Sequence, residues 1–364
     1  MLAANTIPMV LFLLFGGVLA DRLPRVLLIR GGNLVMGLTQ GAVAWLVISG
    51  HAELWMLVVL EAVNGTVSAV VFPAMQGLFP QLVPRELLQQ ANVLQSMVRG
   101  AMRVVGPAIS ALLVVGVGPG WALAADALTW VAASALLVRV NLPGPARKPE
   151  RSSTVADLRE GWSVFVSNTW FWVVVLSFAV LNAIHTGAWF TLGPAHAKDT
   201  IGPTGWGYLM SAESIGLLAT TLVMLKVRLE RPLLVGMLGC ALMGLPLLLF
   251  GLLSSLPVLV VAAFLAGAGI EIFSLGWSVA MQENIEERML SRAFSYDALG
   301  SFVAMPVGQL VYGPLGDAFG YRDVLVVSGV VYAVVALGTL SSRSVRELQR
   351  GPAVVSTTSP PAPG

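Results

Sequence analysis

Three stretches of this chain, 104–138, 169–191 and 232–270, are long, apolar and nearly free of charge, with Asp126 as the one acidic interruption. Water cannot be the solvent around so much contiguous apolar surface. A helix crossing the hydrocarbon core of a bilayer needs about 20 such residues, and lipid requires every backbone group to be satisfied within the segment. The chain therefore reads as an all-α membrane protein that crosses the bilayer many times. Composition agrees: 56% of the 364 residues are hydrophobic and 11% are charged, against about 25% charged in a soluble domain. The 38 glycines and 21 prolines also suit membrane helices.

Length and punctuation predict about eleven spans, near 3–20, 26–49, 54–78, 92–115, 121–140, 168–192, 205–225, 233–253, 257–280, 293–313 and 323–341. Val18-Leu19-Ala20 has the look of a leader cleavage site, but no basic residue precedes the apolar run, so residues 3–20 read as a true span. The polar segment after Asn141 predicts a central linker at 141–167 between an N-terminal bundle (1–140) and a C-terminal bundle (168–350). The low-complexity tail 351–364 reads as disordered. Positive charge alternates by loop. Arg22 and Arg25, Arg85, the linker, Lys226–Arg231 as a cluster, Arg288 and Arg292, and the residues after Ser342 are basic; the intervening loops hold only Lys198 and Arg322. Basic loops stay in the cytoplasm, which places the linker and C-terminus inside the cell and the N-terminus outside.

The first of these loops, "GGVLADRLPRVLLIR", packs Asp21, Arg22 and Arg25 between two spans. Gly17, Leu19, Ala20, Asp21, Arg22, Pro24 and Arg25 match in order the loop motif that follows the second helix in the major facilitator superfamily, and the segment resembles that family. Gly17 allows close helix approach, Asp21 suits a cap on the helix that follows, and the arginines can reach carboxylates or carbonyls of the other half in a gating loop. "FPQLVPRELLQQANVLQSMVRGAMRVVGPAISALL" resembles the fourth loop and fifth helix of the drug- and siderophore-exporting branch, with Gly106 and Pro107 at the core of its antiporter motif. "ENIEERMLSRAFSYDALGSFVAMPVGQLVYGPLGDAFGYRDV" is similar to the tenth loop through twelfth helix of the same branch. The family has one more helix ahead of the Asp-Arg loop than the 20 residues before Asp21 provide, so the expectation is eleven spans with the first of twelve missing, from a late start or a truncated product.

Weak internal symmetry relates 72–87 to 277–290. The second copy of the charged loop should fall near 226–231, where "KVRLERP" has no aspartate. "GPLGDAFGYRD" (313–323) imitates the motif, but charge parity places it on the opposite face, where Asp323 reads as a helix cap.

Ionisable groups inside spans are costly and are functional candidates by default. Proton coupling needs a carboxylate shielded from water; Glu271 comes first, then Glu61 and Glu213. Asn64, Arg99, Arg103, Asn182 and His185 are candidates for a substrate cavity, with Gln95 on the face of Arg99, while Asp126 reads as a helix-end group. Alternatively, the two arginines neutralise Glu61 or snorkel toward the interface. The one cysteine, Cys240, gives no internal disulfide or Cys-based metal site, and the three histidines lack zinc spacing. No nucleotide loop or catalytic triad pattern is present, so the chain reads as neither an enzyme nor a nucleic-acid binder. The resemblance implies a monomeric secondary transporter of the bacterial inner membrane. It would export a small molecule by alternating access, with a proton gradient and no cofactor. An importer of another solute, or a membrane protein without transport activity, also fits these residues.

Overall fold

The computed structural model describes residues 2–139 and 154–350. The proposed tail and most of the linker lie outside them. The described residues are helical: α1 (Leu2–Arg22), α2 (Arg25–Ser49), α3 (Leu54–Leu82), α4 (Leu88–Val117), α5 (Pro119–Leu136), α6 (Thr154–Ser167), α7 (Thr169–Ile184) running into a π-helical segment (His185–Leu192) and α8 (Gly193–Asp199), α9 (Gly202–Met224), α10 (Pro232–Ala241), α11 (Gly244–Leu252), α12 (Leu256–Asn284), α13 (Leu290–Phe319), α14 (Tyr321–Gly338) and α15 (Arg343–Arg346). Among the described residues, ten helical stretches are long and apolar enough to cross a bilayer. The eleventh expected span is α4. Its 30 residues are ample in length, but Gln89, Gln90, Asn92, Gln95, Arg99 and Arg103 dilute its apolar character. The polar segment before α7 is not all irregular, because α6 forms within it.

Two spans are broken where proline removes a donor. Pro246 cannot bond back to Leu242, and the run expected as one helix over 233–253 divides into α10 and α11 through tighter turns at Leu242, Met243 and Leu245. Pro194 likewise leaves the Phe190 carbonyl without its helical partner, and the preceding turn widens into the π segment, where the Thr191 hydroxyl donates to the Thr186 carbonyl at 3.0 Å.

The internal symmetry is close in register. Adding 202 to the residue numbers of α3, α4 and α5 gives those of α12, α13 and α14, and it carries the short 3-10 turns Arg85–Leu87 and Leu137–Arg139 onto Glu287–Met289 and Thr339–Ser341. The joints correspond too. Gly118 and Gly320 sit at equivalent turns with φ of 91° and 83°, a region that glycine enters without strain. Within each half, matching helices pack on one another: α1 on α3 and α9 on α12. Lipid offers no hydrophobic drive between helices, so small residues that let backbones approach carry the packing. A methyl group on Gly65 would overlap the Asn5 carbonyl, and one on its counterpart Gly267 would overlap the Glu213 carbonyl. The buried core is larger in the second half, around Phe171, Trp189, Leu233, Met237 and Phe250. The halves meet where α1 and α3 face α13 and where α4 faces α9 and α12.

Candidate functional site

At one end of the molecule, two polar clasps join the halves. The first is built on Asp21, at the end of α1. One carboxylate oxygen accepts Arg25 Nη2 at 2.9 Å; the other accepts the backbone N–H of Arg292 at 3.3 Å and lies 3.2 Å from Arg292 Nε as an ion pair without hydrogen-bond alignment. The Asp21 side chain is 1% exposed. Asp21 does not cap the helix that follows it: Pro24 occupies that position, with no side-chain bond. Its acceptor goes instead to the first turn of α13 in the other half, where unsatisfied N–H groups and the helix dipole favour a negative charge. Arg25 reaches further, donating from Nη1 to the Gly77 carbonyl at 2.5 Å and from Nη2 to the Glu287 carbonyl at 2.7 Å. Arg292 donates to Glu160 of α6 at 3.0 Å, and Glu160 also accepts from Arg288 at 3.3 Å. Gly17 lets α1 lie against Ser295 and Arg292 of α13. Arg22 is half-buried and Pro24 is exposed.

The second clasp contains residues that the sequence pattern did not single out. Gln89, at the start of α4, donates to the Met224 carbonyl at 3.3 Å and to the Val227 carbonyl, and accepts the Leu229 N–H at 3.1 Å. This is the loop where the charged motif's second copy has lost its aspartate; a neutral amide from the first half holds it. Beside it, Asn92 donates to Gln282 at 2.7 Å and accepts from the same side chain at 3.3 Å. Arg350 joins them, 2.6 Å from Glu283 and 3.4 Å from Gln89. The available signal was a run of amides, "LQQAN", opening an apolar helix.

Four of the residues expected within the spans are bonded to a side chain of another element. Glu61 of α3 accepts from Asn5 of α1 at 3.2 Å. Asn64, one turn on, accepts from Thr39 of α2. In the second half, Glu213 of α9 accepts the Trp189 indole N–H at 2.8 Å, and Glu271 of α12, 3% exposed, accepts from Thr221 at 3.0 Å. Asn182 is partly buried on α7, and its carbonyl accepts from Thr186. His185 opens the π segment, its ring 5.0 Å from that of Phe190, and its Nε2 is buried with no hydrogen-bond partner among the described residues. Arg99 is exposed on α4. Arg103 lies on the same helix, its side chain outside the described set.

Gly106 is half-buried, and a methyl group there would meet nothing within 4 Å among the described residues. Its repeat partner Gly308 is pressed against the Ala183 carbonyl of α7. Pro107 follows Gly106 on α4. Asp126 is exposed on α5. Cys240 is buried, its sulfur 3.5 Å from the Tyr332 hydroxyl. Asp323 is not a cap: Gly320 precedes α14, and Asp323 sits within its first turn.

Two repeated bundles of membrane-spanning helices, joined by polar contacts at one end and carrying carboxylates within the spans, have the architecture of a membrane transporter. The model of the Major Facilitator Superfamily matches residues 1–308. The chain belongs to that superfamily. It is 23% identical to macrolide efflux protein A of Streptococcus pyogenes, covering 91% of this chain and 84% of that protein. It is also 23% identical to the multidrug efflux pump Tap of Mycolicibacterium fortuitum, covering 87% and 80%. Among solved structures, a bacterial homologue of the iron transporter ferroportin in an outward-facing state superposes with a TM-score of 0.70 at 20% identity, covering 93% and 89%. The E. coli fucose:proton symporter superposes at 0.71 with 14% identity, covering 93% and 89%.

Proposed function

We propose that this transporter is a proton-coupled exporter of a small molecule (a drug, siderophore or metabolite), with a drug of the kind its relatives are named for as the first candidate. Substrate would move outward as protons move inward, by rocking of the two bundles. The observation that carries the reading is the clasp of Asp21, Arg25 and Arg292. It ties the halves through a few buried polar contacts that can break together, which is what a gate requires. By the charge rule the clasp end faces the cytoplasm, with the start of α1 outside and α15 inside, in a bacterial inner membrane. The clasped arrangement then corresponds to a state closed to the cell interior.

Glu271 is the proposed coupling carboxylate, supported by its burial within a span and by the bond it accepts from Thr221; Glu61 and Glu213 are the further candidates. Asn64, Arg99, Arg103, Asn182 and His185 are the proposed cavity residues, and the chain is proposed to act as a monomer. Expression in a bacterial host lacking its own exporters tests the reading. Wild type raises the inhibitory concentration of a macrolide, and everted vesicles accumulate the labelled drug until a protonophore is added. Glu271→Gln loses the gradient-driven part. Equal inhibitory concentrations and equal accumulation with and without the protein would overturn it.

A further inference from the structure

A carboxylate that the sequence pattern passed over lies within α13. Asp297 is partly accessible, and its Oδ2 accepts the indole N–H of Trp277 at 3.0 Å. Trp277 is 7% exposed and held by aromatic neighbours, with ring centroids 5.8 Å from Trp170, 6.0 Å from Phe171 and 6.1 Å from Phe273. The donor is rigid and neutral, so the carboxylate is oriented without a counter-charge. An intramembrane acid costs free energy unless it is paired or used.

The charged and titratable groups on the elements packed against α13 have other partners or lie elsewhere. On α1 they are Asp21 and Arg22, at its clasp end, with Asp21 engaged by Arg25 and Arg292. On α6, Glu160 is taken by Arg288 and Arg292, and Asp157 and Arg159 share that short helix. α7 has none between Thr169 and Ile184, and His185 begins the segment beyond it. On α3, Glu61 is with Asn5. On α12, Glu271 lies six residues from Trp277, about 9 Å along the helix, with Thr221, and Glu283 is with Arg350. On α14, Tyr332 is with Cys240 and Arg322 with the Gly251 carbonyl, while Tyr321 and Asp323 lie at its far start. On α13 itself, Arg292 serves the clasp, Tyr296 donates to the Leu158 carbonyl, Tyr312 pairs with Ser328, and Asp317 pairs with Tyr321.

The internal repeat shows that the scaffold does not require this acid. The residue 202 positions earlier, at the same place in α4, is Gln95, and the counterpart of Trp277 is Met75. The acid–indole pair belongs to the second half alone. It sits on the helix that carries the clasp: α13 touches Gly17 through Ser295 and Asp21 through Arg292, so α13 cannot part from α1 without displacing Asp297.

We propose that Asp297, oriented by Trp277, is a proton-binding site of this transporter, loaded and unloaded as the clasp end closes and opens. The proposal rests on the proton-coupled reading above and adds a second carboxylate, near the clasp, to Glu271. In the loaded state the proton resides on Asp297 as a carboxylic acid while Trp277 keeps its own N–H; release returns the carboxylate and gives the proton to water. The test is an infrared titration of the whole protein in lipid nanodiscs, which needs no substrate. Acidification produces a protonated-carboxyl band; Asp297→Asn removes one component of it, Asp297→Glu restores one, and Trp277→Phe keeps the component but moves its frequency. Near-UV circular dichroism matching wild type certifies the fold of each variant. A band unchanged in a folded Asp297→Asn protein overturns the proposal. In proteoliposomes, Asp297→Asn is expected to keep macrolide exchange without a gradient and to lose at least tenfold in gradient-driven accumulation; intact accumulation also overturns it. If wild-type protein moves no macrolide, the export reading fails on that arm, while the infrared arm still decides on Asp297.

Discussion

The Arg25 guanidinium donates to the Glu287 backbone carbonyl at 2.7 Å across 262 residues of sequence, and the same nitrogen holds Asp21 at 2.9 Å. One side chain thus links its own loop to the other half. Truncating it leaves Asp21 with Arg292 but removes three charge-assisted bonds, each of which contributes about 1.5–3 kcal/mol when desolvated. Arg25→Ala is expected to shift the balance toward the opened clasp by about tenfold or more. The rate of maleimide labelling of a cysteine placed at Ser295, fully buried against α1 in the clasped state, reads this shift. Arg25→Lys should fall between, because an ammonium cannot span Gly77, Glu287 and Asp21 as a planar fork does.

The amide pair Asn92–Gln282 gives a second expectation. Both residues are buried and satisfy each other across the halves. Asn92→Ala leaves Gln282 short of a partner and should cost about 1–3 kcal/mol. The double variant Asn92→Ala, Gln282→Ala should cost less than the sum of the singles, by about 1 kcal/mol. Thermal unfolding in detergent, run as a double-mutant cycle, measures the difference.

Repeat-equivalent glycines should behave oppositely. A methyl group at Gly308 collides with the Ala183 backbone, which cannot yield as a side chain can. Gly308→Ala should therefore destabilise by about 1–3 kcal/mol. Gly106→Ala meets no neighbour among the described residues and should be neutral, or gain up to about 1 kcal/mol from helix propensity. Melting temperatures of the two variants in the same detergent decide it.

Glu271→Gln should separate structure from coupling. The Thr221 hydroxyl can donate to an amide oxygen as well as to a carboxylate, so this bond, of about 0.5–1.5 kcal/mol, should persist in a folded variant. Gradient-driven drug accumulation should drop tenfold or more while exchange without a gradient persists. Parallel measurements on everted vesicles with and without an imposed pH gradient check both halves of the statement.

What the sequence made legible follows from lipid as solvent. A span must be long, apolar and internally hydrogen-bonded, so the all-α architecture and the repeated pairing of spans can be read from residue order. Asp21 and Arg25 stood out because an aspartate joins the arginines in a short loop, where the positive-inside rule asks for basic residues alone. Their partners did not: the carbonyls of Gly77 and Glu287 belong to the backbone and leave no mark on residue type. Asp21 was expected to cap its own neighbour and instead caps α13, because helix dipoles attract the carboxylate wherever packing brings a first turn close. Gln89, Asn92 and Gln282 escaped notice since neutral amides are ordinary at helix ends.

The chain's order of residues determined that it lives in a membrane as two bundles of helices, because burial of apolar surface and backbone satisfaction act along each segment by themselves. Only the tertiary structure decided which polar groups meet: Arg25 with Glu287, Gln89 with the 225–231 loop, Asp297 with Trp277. Those contacts depend on the angle and depth at which helices cross. That geometry is set by small-residue packing summed over the whole molecule, which no single segment encodes.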